Sequence, residues 1–296
     1  MTQPEISIVV PARLARETIA ATIQALLEQC AGLESEVIAV VSREDTATGD
    51  VLRGLAGDPR VRLIEMEGPR SAPELRGEGI RAARGRLVAI TEDHCLFCRG
   101  WVQGFLETHE AREVAAVGGP VENGCAGGPL DWAIYFSRYL GAMPPVGRGV
   151  VTALPGNNAC YRREVLERFA HLYAQGFWEH DFNAELVSSG YLLWREPDLT
   201  VTHHKPYRYW SYLALRWHHA RCFGGQRRGG LVPALAAPLL PALLAWRAVR
   251  AIRARQRRGR ELAMAFLPLL LCYVVWSWGE LAGRLFGPGD SCSRTD

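Results

Sequence analysis

The 296-residue chain has a single lysine, Lys205, among 34 basic residues, and no acidic residue from His203 to Arg260. The net charge of +3 conceals that gap. Residues 1–202 hold 19 Arg against 27 Asp and Glu, a net of −8, residues 203–260 carry +13, and residues 261–296 carry −2. Zinc-ligand spacing is also missing. The eight cysteines, at 30, 95, 98, 125, 160, 222, 272 and 292, include one close pair, Cys95 and Cys98. A structural zinc site needs a second cysteine pair or a histidine pair at ligand spacing, so the thiols are read as reduced and cytosolic. No signal peptide is expected, because the first apolar run, Ile6–Val10, is five residues long, follows Glu5 and ends at Pro11. The chain is therefore expected to start in the cytosol, with a β-strand. Charged residues at 22% and hydrophobic residues at 48% exclude general disorder.

The first hundred residues alternate strand and helix. Ile6–Val10 and Val37–Val41 are short apolar runs of buried-strand type, and Val61–Ile64 and Leu87–Ile90 are read as the third and fourth strands. Between them, Thr18–Gln29 has apolar residues at helical spacing (Ile19, Ile23, Leu26, Leu27), and Thr48–Leu55 and Ala72–Ala83 read as helices. This rhythm predicts a parallel sheet with right-handed crossovers. Ligands in such sheets bind beyond the carboxyl ends of strands, which directs attention to the loops after Val10, Val41 and Ile90. Further on, the pattern predicts helices at Trp101–Ala111, Asp131–Leu140, Arg162–Ala170 and Phe182–Ser188. Strands are expected near Val114–Val117, Tyr191–Trp194 and Leu199–Val201, and a long mobile loop over 141–156.

Long uncharged runs occur only near the end. Residues 231–246 lack charge but contain Pro233, Pro238 and Pro241, and residues 262–279 lack charge and contain Pro268. Between them, an arginine-rich loop over 247–260 holds Arg247, Arg250, Arg253, Arg255, Arg257, Arg258 and Arg260. A spanning helix needs about 20 apolar residues, so the first run is short and the second marginal. Two full spans would put the arginines and the first domain on opposite sides, against the preference of Lys and Arg for the cytosol. A re-entrant or interfacial first segment, with the arginines at an anionic lipid surface, removes the conflict. A buried helical hairpin in a soluble protein is the alternative. The division implied is a catalytic domain over 1–228 and a membrane-association region over 229–296.

Four groups of residues carry chemistry. Glu92-Asp93-His94 follows an apolar strand and offers a hard divalent cation, Mg²⁺ or Mn²⁺, carboxylate oxygens and an imidazole. A solvated acidic turn is the competing reading. Glu179 and Asp181 open a helix beneath Phe177 and Trp178, where an apolar wall suits a general base, although acids at a helix start are also favoured by the dipole. His203 and His204 end an apolar stretch, where one of them would complete a metal shell, and a purely structural histidine pair is the competing reading. Arg208, Arg216, Arg221, Arg227 and Arg228 surround Gly224-Gly225, a pattern that suits phosphate recognition. Trp210, Tyr212, Trp217 and Phe223 among them raise nucleic acid as a partner. The adjoining apolar segments favour a membrane surface over nucleic acid.

Taken together these motifs resemble the family 2 glycosyltransferases, which have the GT-A fold. Ile8-Val9-Val10-Pro11-Ala12-Arg13 resembles the family's first strand and nucleotide loop, which implies donor contacts from Pro11, Ala12 and Arg13. Ser42 lies near the end of the second strand, where the family often has an aspartate. The segment Leu75–Gly85 resembles a helix with an arginine at the nucleotide, here Arg76, and an Ala-x-Gly ending. Glu92-Asp93-His94 falls at the Asp-x-Asp place, and His203 or His204 at a late metal histidine. Pro155–Arg163 resembles the acceptor-side segment, implying Gly156, Asn157 and Asn158, with Trp178 nearby. Glu179-His180-Asp181 falls at the catalytic-base motif, which Glu179 fits better than Asp181. The segment Phe223–Arg228, with Arg221, resembles the stretch that closes over the diphosphate. Trp278-Gly279-Glu280 followed by Gly283 is similar to the tails of membrane-associated bacterial members.

The resemblance implies an α/β fold, a mostly parallel sheet flanked by helices with C-terminal membrane-associated helices. It also implies inverting transfer from a nucleotide-sugar donor, aided by Mn²⁺ or Mg²⁺, and the apolar tail with its arginine loop adds the expectation of a lipid or lipid-linked acceptor at the cytosolic membrane face. Two other readings remain open. A sugar nucleotidyltransferase would use a similar sheet but usually has a glycine-rich basic loop after its first strand, and Pro11-Ala12-Arg13-Leu14-Ala15 has no glycine. A non-catalytic membrane scaffold on a degenerate transferase fold is the other.

Overall fold

A computed structural model describes residues 3–125, 127–226 and 237–295. The chain packs as two compact units, Met1–Gly124 with Pro144–His204, and Cys125–Met143 with Lys205–Asp296. This division differs from one at residue 228. The helix Pro129–Tyr139 joins the second unit from within the first half of the chain, and the helix Tyr209–Gln226 joins it too.

The first unit contains eleven strands among the described residues: β1 (Ile6–Ala12), β2 (Ser35–Ser42), β3 (Val61–Met66), β4 (Leu87–Ile90), β5 (Cys95–Phe97), β6 (Ala116–Gly118), β7 (Val121–Asn123), β8 (Gly149–Val151), β9 (Ala159–Arg162), β10 (Leu193–Arg195) and β11 (Val201–His203). Eight form one sheet in the order β3-β2-β1-β4-β9-β6-β10-β8, and β5-β11-β7 form a second. β1 is parallel to both β2 and β4, and β2 to β3. Period-two alternation assigns the faces. Ile6, Ile8, Val10 and Ala12 pack with Ile19, Ile23, Leu26, Trp101 and Phe105, whereas Val9 packs with Ile38, Val40, Leu75 and Ile80. Helices thus cover both faces, which is why these strands read as unbroken apolar runs.

Two local expectations are corrected. The helix expected over Arg162–Ala170 is present from Arg163 to Arg168, and Arg162 instead closes the strand β9, which runs antiparallel to both β4 and β6. Buried Ala159, Cys160 and Tyr161 are too few to show a period, and their pairing comes from neighbours distant in sequence. The expected loop over 141–156 contains β8, an edge strand paired antiparallel with β10.

The Ala83-Arg84-Gly85 ending has a steric cause. The buried Ser7 hydroxyl donates to Glu36 Oε1 (2.6 Å) and accepts the Gly85 amide (2.8 Å), while Glu36 Oε1 also accepts the Arg84 amide (2.8 Å). A Cβ on Gly85 would lie 2.5 Å from the Ser7 nitrogen, so only glycine lets this turn reach β1.

Among its described residues the second unit is helical. The helix Gly259–Phe286 is the one helix among the described residues long and apolar enough to cross a membrane. It meets Tyr209–Gln226 through small residues. A Cβ on Gly279 would sit 2.8 Å from the Trp217 carbonyl oxygen, one on Gly283 2.2 Å from that of Arg221, and one on Gly224 2.2 Å from that of Glu280. Gly279 and Gly283 are four apart, the small-x-x-x-small spacing that lets backbones approach closely. Of the first uncharged run, 231–236 lies outside the described residues, and Leu240 begins the helix Leu240–Arg255. The arginine-rich loop is therefore mostly helix. Arg247, Arg250, Arg253 and Arg255 lie on it, and only Gln256–Arg258 turn, with positive φ at Gln256 and Arg258. Their spacing of about three, filled with Ala, Val and Ile, is compatible with helix once the flanking segments pack. The expectation of reduced thiols fails at one pair, since Cys222 and Cys292 form a disulfide across 70 residues, while the other six cysteines are free.

Gly85→Ala is expected to lower the stability of the protein by about 1–3 kcal/mol through overpacking. Gly54→Ala, at a helical glycine with open space around its Cα, should be neutral or stabilising by up to about 1 kcal/mol. Urea unfolding of both variants checks the pair.

Candidate active site and metal centre

The chain winds outward from β1 to β2 and β3, then returns to place β4 on the other side of β1. Loops leaving β1 and β4 therefore diverge, and the crevice between them is the expected ligand position in a sheet of this kind. The β1 loop carries Arg13, and the β4 loop carries Thr91 to His94. Buried Asp93 joins the two loops. Its Oδ2 accepts the Arg13 amide (2.7 Å) and its Oδ1 meets His94 Nδ1 (2.5 Å). Pro11 and Ala12 lie inside β1 and are buried. Pro11 is opposite Val40 of β2 but beyond the last β4 partner, Val9, so its missing N–H costs no ladder bond on that side.

The hydrogen bond to Asp93 directs His94 Nε2 away from Asp93, into a cluster. That atom lies 2.8 Å from His203 Nε2 and 3.2 Å from Glu92 Oε2, and His203 Nε2 is 3.8 Å from Glu92 Oε2. The second sheet brings His203 here, because β11 pairs antiparallel with β5 and sets His203 opposite Cys95. His204 is not in this cluster. Its amide donates to the His94 carbonyl oxygen (2.9 Å), and its ring packs over Gly124. Two imidazole nitrogens facing each other beside a carboxylate are a donor set for a divalent cation. A carboxylate behind one imidazole is the usual outer support of such a ligand. Glu92, His94 and Cys95 also converge as potential ligands. Burial, followed by the nearby Glu92 carboxylate, raises the Cys95 thiol pKa well above its usual value. Cys95 is therefore a thiol in the absence of metal, and the oxygen and nitrogen donors are the available ones. Burial by itself would lower the pKa of His94, but its hydrogen bonds to the Asp93 and Glu92 carboxylates, with their charge, outweigh it and raise the net value.

Arg76 links the cluster to the candidate base. It is 5% exposed, on the helix Ala72–Ala82, and Glu74 at the start of that helix accepts from both the amide and the hydroxyl of Ser71 in a capping box. Arg76 Nη1 donates to Glu179 Oε2 (2.9 Å), and Nη2 lies 3.5 Å from Glu92 Oε1. Glu179 is held in reach because the Phe177 amide donates to the Pro73 carbonyl oxygen (2.8 Å). Tyr161 OH donates to Asn183 Oδ1 (2.9 Å), and Asn183 Nδ2 donates to the Leu154 carbonyl oxygen (3.1 Å), fixing the helix Glu179–Ser188 beside β9. Sequence reading passed over Tyr161 and Asn183. Their burial was hidden because charged residues stand close to each in sequence, Arg162 after Tyr161 and Asp181 and Glu185 on either side of Asn183. Asp181 is exposed, two residues past Glu179.

The remaining expected residues divide clearly. Gly156 touches the site, since a Cβ there would lie 2.5 Å from Glu179 Cδ. Asn157 is buried, with Nδ2 3.8 Å from Cys95 Sγ. Asn158 is wholly buried, and its amide serves the fold: Nδ2 donates to Pro120 and Leu199 carbonyl oxygens (2.9 and 2.7 Å), and Oδ1 accepts from Trp101 Nε1 (2.9 Å). It therefore has no polar atom left for an acceptor. Trp178 is half-buried beside Glu179. The Ser42 hydroxyl donates to the Gly68 carbonyl oxygen (2.7 Å) at the end of β2. Arg221 belongs to the second unit, where its Nε donates to the Gly287 carbonyl oxygen (3.2 Å). Arg227 and Arg228 lie outside the described residues.

The model for glycosyl transferase family 2 matches residues 7–169 of this chain. A curated relative, the succinoglycan biosynthesis protein ExoO of Rhizobium meliloti (strain 1021), is 36% identical over 89 residues, which is 30% of this chain and 25% of that protein. The match thus spans only a quarter of the length of that relative. Among solved structures, the mannosyltransferase PcManGT from Pyrobaculum calidifontis, in complex with GDP-Man and Mn²⁺, is similar with a TM-score of 0.61 at 20% identity. That likeness covers 96% of this chain and 88% of the other, and at this identity it shows a shared fold.

Two outcomes are expected at the cluster. His203→Ala should weaken Mn²⁺ binding by tenfold or more, the scale set by loss of a ligand or its support, whereas His204→Ala should change it little. Mn²⁺ titration monitored by electron paramagnetic resonance reads both. Gly156→Ala should displace Glu179 and lower turnover without changing Mn²⁺ affinity, a separation seen by assaying and titrating the same variant.

Proposed function

The chain belongs to glycosyl transferase family 2, and from that membership we propose an inverting transfer of a sugar from a nucleotide-sugar to a lipid or lipid-linked acceptor at the cytosolic membrane face. One observation carries this reading: Arg76 bridges Glu92 of the candidate metal cluster and Glu179, the candidate base. That contact, between the loop after β4 and the start of the helix Glu179–Ser188, supports a reading in which donor-side and acceptor-side chemistry are neighbours.

In the proposed reaction the acceptor hydroxyl oxygen attacks the anomeric carbon, and the bond from that carbon to the diphosphate oxygen breaks. Glu179 takes the hydroxyl proton as the new bond forms. A single displacement with the base opposite the leaving group inverts the anomeric centre. Arg76, buried beside Glu92, supplies fixed positive charge on the side where the diphosphate departs. Glu92, His94 and His203 would hold a divalent cation, Mn²⁺ or Mg²⁺, whose contribution when bound is to neutralise charge on the diphosphate. The β1 loop, from Pro11 through Arg13, and Ser42 at the end of β2 are proposed to line the nucleotide. The segment at Gly156 and Trp178 is proposed to face the acceptor.

The membrane part of the reading draws on the second unit. Met264, Leu267, Leu271, Trp278 and Phe286 of the helix Gly259–Phe286 are exposed, as are Leu243 and Trp246 of the preceding helix. Apolar side chains left outward on helices that also carry Arg247, Arg250 and Arg253 fit the boundary between lipid phosphates and hydrocarbon. An acceptor with a lipid portion would be met at that boundary.

Glu179→Gln is expected to lower turnover by about 10²-fold or more while leaving nucleoside diphosphate binding as in the parent. Retained full activity would remove Glu179 from the role. The donor class is found by a thermal-shift screen of nucleoside diphosphates and nucleotide-sugars with Mn²⁺ and Mg²⁺. A ligand at 100 times its dissociation constant stabilises by about 2.7 kcal/mol. Release of nucleoside diphosphate rather than pyrophosphate then separates glycosyl transfer from nucleotidyl transfer.

A further inference from the structure

An open cleft of about 540 Å³ lies within the second unit, at the turn joining the helices Leu240–Arg255 and Gly259–Phe286. Its floor is hydrocarbon: Val249 and Ile252 come from the first helix, and Leu262, Ala263 and Phe266 from the second. Its polar wall is formed by Arg253, Gln256 and Arg257, next to the turn. The cleft is therefore amphipathic along its length, cationic where the helices join and apolar away from the joint.

Three observations identify the occupant. The first is charge. No acid occurs from His203 to Arg260, and the next one, Glu261, is paired with Arg258 Nη1 at 3.1 Å. An anion at the cleft mouth thus meets Arg253 on a helix whose sequence carries no carboxylate. The second is the continuation of the floor. From Ala263, steps of four residues lead to Leu267 and Leu271, and from Val249 a step of three leads to Trp246, so the same helix faces stay apolar beyond the cleft and are exposed there. A small water-soluble anion would use the mouth and leave this hydrocarbon wet. The third is volume, since about 540 Å³ exceeds what a phosphate needs and admits a headgroup with the first part of a chain.

We propose that this cleft binds one anionic phospholipid of the membrane, its phosphate against Arg253 and its acyl chain along Ile252, Ala263 and Phe266. The inference rests on the membrane part of the proposed function and adds to it a defined site, distinct from attraction spread over all the arginines. Gln256 donates to the headgroup from beside the arginine, and the exposed faces of the two helices enter the surrounding hydrocarbon.

The test uses the full chain and vesicles of phosphatidylcholine with 30% phosphatidylglycerol, read by flotation over a lipid titration. Ala263→Trp fills the floor without changing charge, and Arg253→Gln removes one cation at the mouth. Arg247→Gln removes one exposed cation on the same helix outside the cleft. The site predicts weakening of about tenfold for the first two and less than threefold for Arg247→Gln. Diffuse attraction predicts equal effects of the two arginine changes, of the size of about one charge near an anionic surface, and no effect of Ala263→Trp. That result overturns the site and leaves membrane association standing. A parent chain that floats with neither these vesicles nor pure phosphatidylcholine overturns both. Thermal stabilisation by inorganic phosphate, lost in Arg253→Gln, together with unchanged flotation, would assign the mouth to a soluble anion and likewise overturn the lipid. If Ala263→Trp unfolds by circular dichroism, the comparison of Arg253→Gln with Arg247→Gln decides alone.

Discussion

The two oxygens of Asp93 point in different directions, and the site depends on both. One accepts the Arg13 amide and holds the loop leaving β1 against the loop leaving β4, and the other turns His94 so that Nε2 faces His203 and Glu92. The carboxylate is buried, so the geometry is set in a low-dielectric setting where charge-assisted hydrogen bonds are strong and a lost partner is costly. Asp93 therefore acts by orientation. The atoms that meet in the cluster belong to its two neighbours in sequence and to a histidine 110 positions away.

Arg76 extends this arrangement across the crevice. A nearly buried guanidinium between two carboxylates would be costly if either partner were removed, because a desolvated charge would be left uncompensated. Its planar fork can bind two acceptors at once, which a lysine ammonium does less well. The same residue thereby couples the position of Glu179 to that of Glu92. A ligand that alters one contact must alter the electrostatics of the other.

Legibility in the sequence followed the range of the interactions. β1, β2 and β4 could be read because they are buried on both faces, so their apolar runs do not depend on register, whereas β3 is a partly buried edge strand marked by Val61, Leu63 and Ile64. β8 and β9 could not, since three or four residues such as Gly149–Val151 become a strand only when a distant partner supplies the ladder. Glu92 to His94 could be located from their position at a strand end. The separate orientation of Asp93 could not, because adjacent carboxylates look alike until the Arg13 amide selects one. His203 and His204 were equivalent as a dipeptide, and they separate because β11 ends at His203, with its side chain in the cluster, while the ring of His204, beyond the strand, packs over Gly124. The meeting of Arg76 with Glu179 spans 103 positions and depends on the Phe177–Pro73 backbone hydrogen bond, which no local pattern announces. Gly85 was legible as part of a motif, but its cause, contact with the Ser7 backbone, was not.

The second unit is assembled from two separate parts of the chain, and this matters while the protein is being made. The helix Pro129–Tyr139 buries Trp132, Ile134, Tyr135 and Phe136, with Ser137 hydrogen-bonded to Tyr212 and Trp132 stacked under Arg258. During synthesis this aromatic helix leaves the ribosome well before either partner. At about 5–20 residues per second, the roughly 120 residues from Tyr139 to Arg258 take some 6–24 seconds to follow. Tyr212 follows earlier, about 70 residues after Tyr139, so the native surroundings of the apolar face are completed in stages, the first of them only after the sheet of the first unit has received its last residues, up to His203. Until then the face is open to contacts with other chains, so the order of synthesis bears on its exposure as much as the stability of the finished fold does.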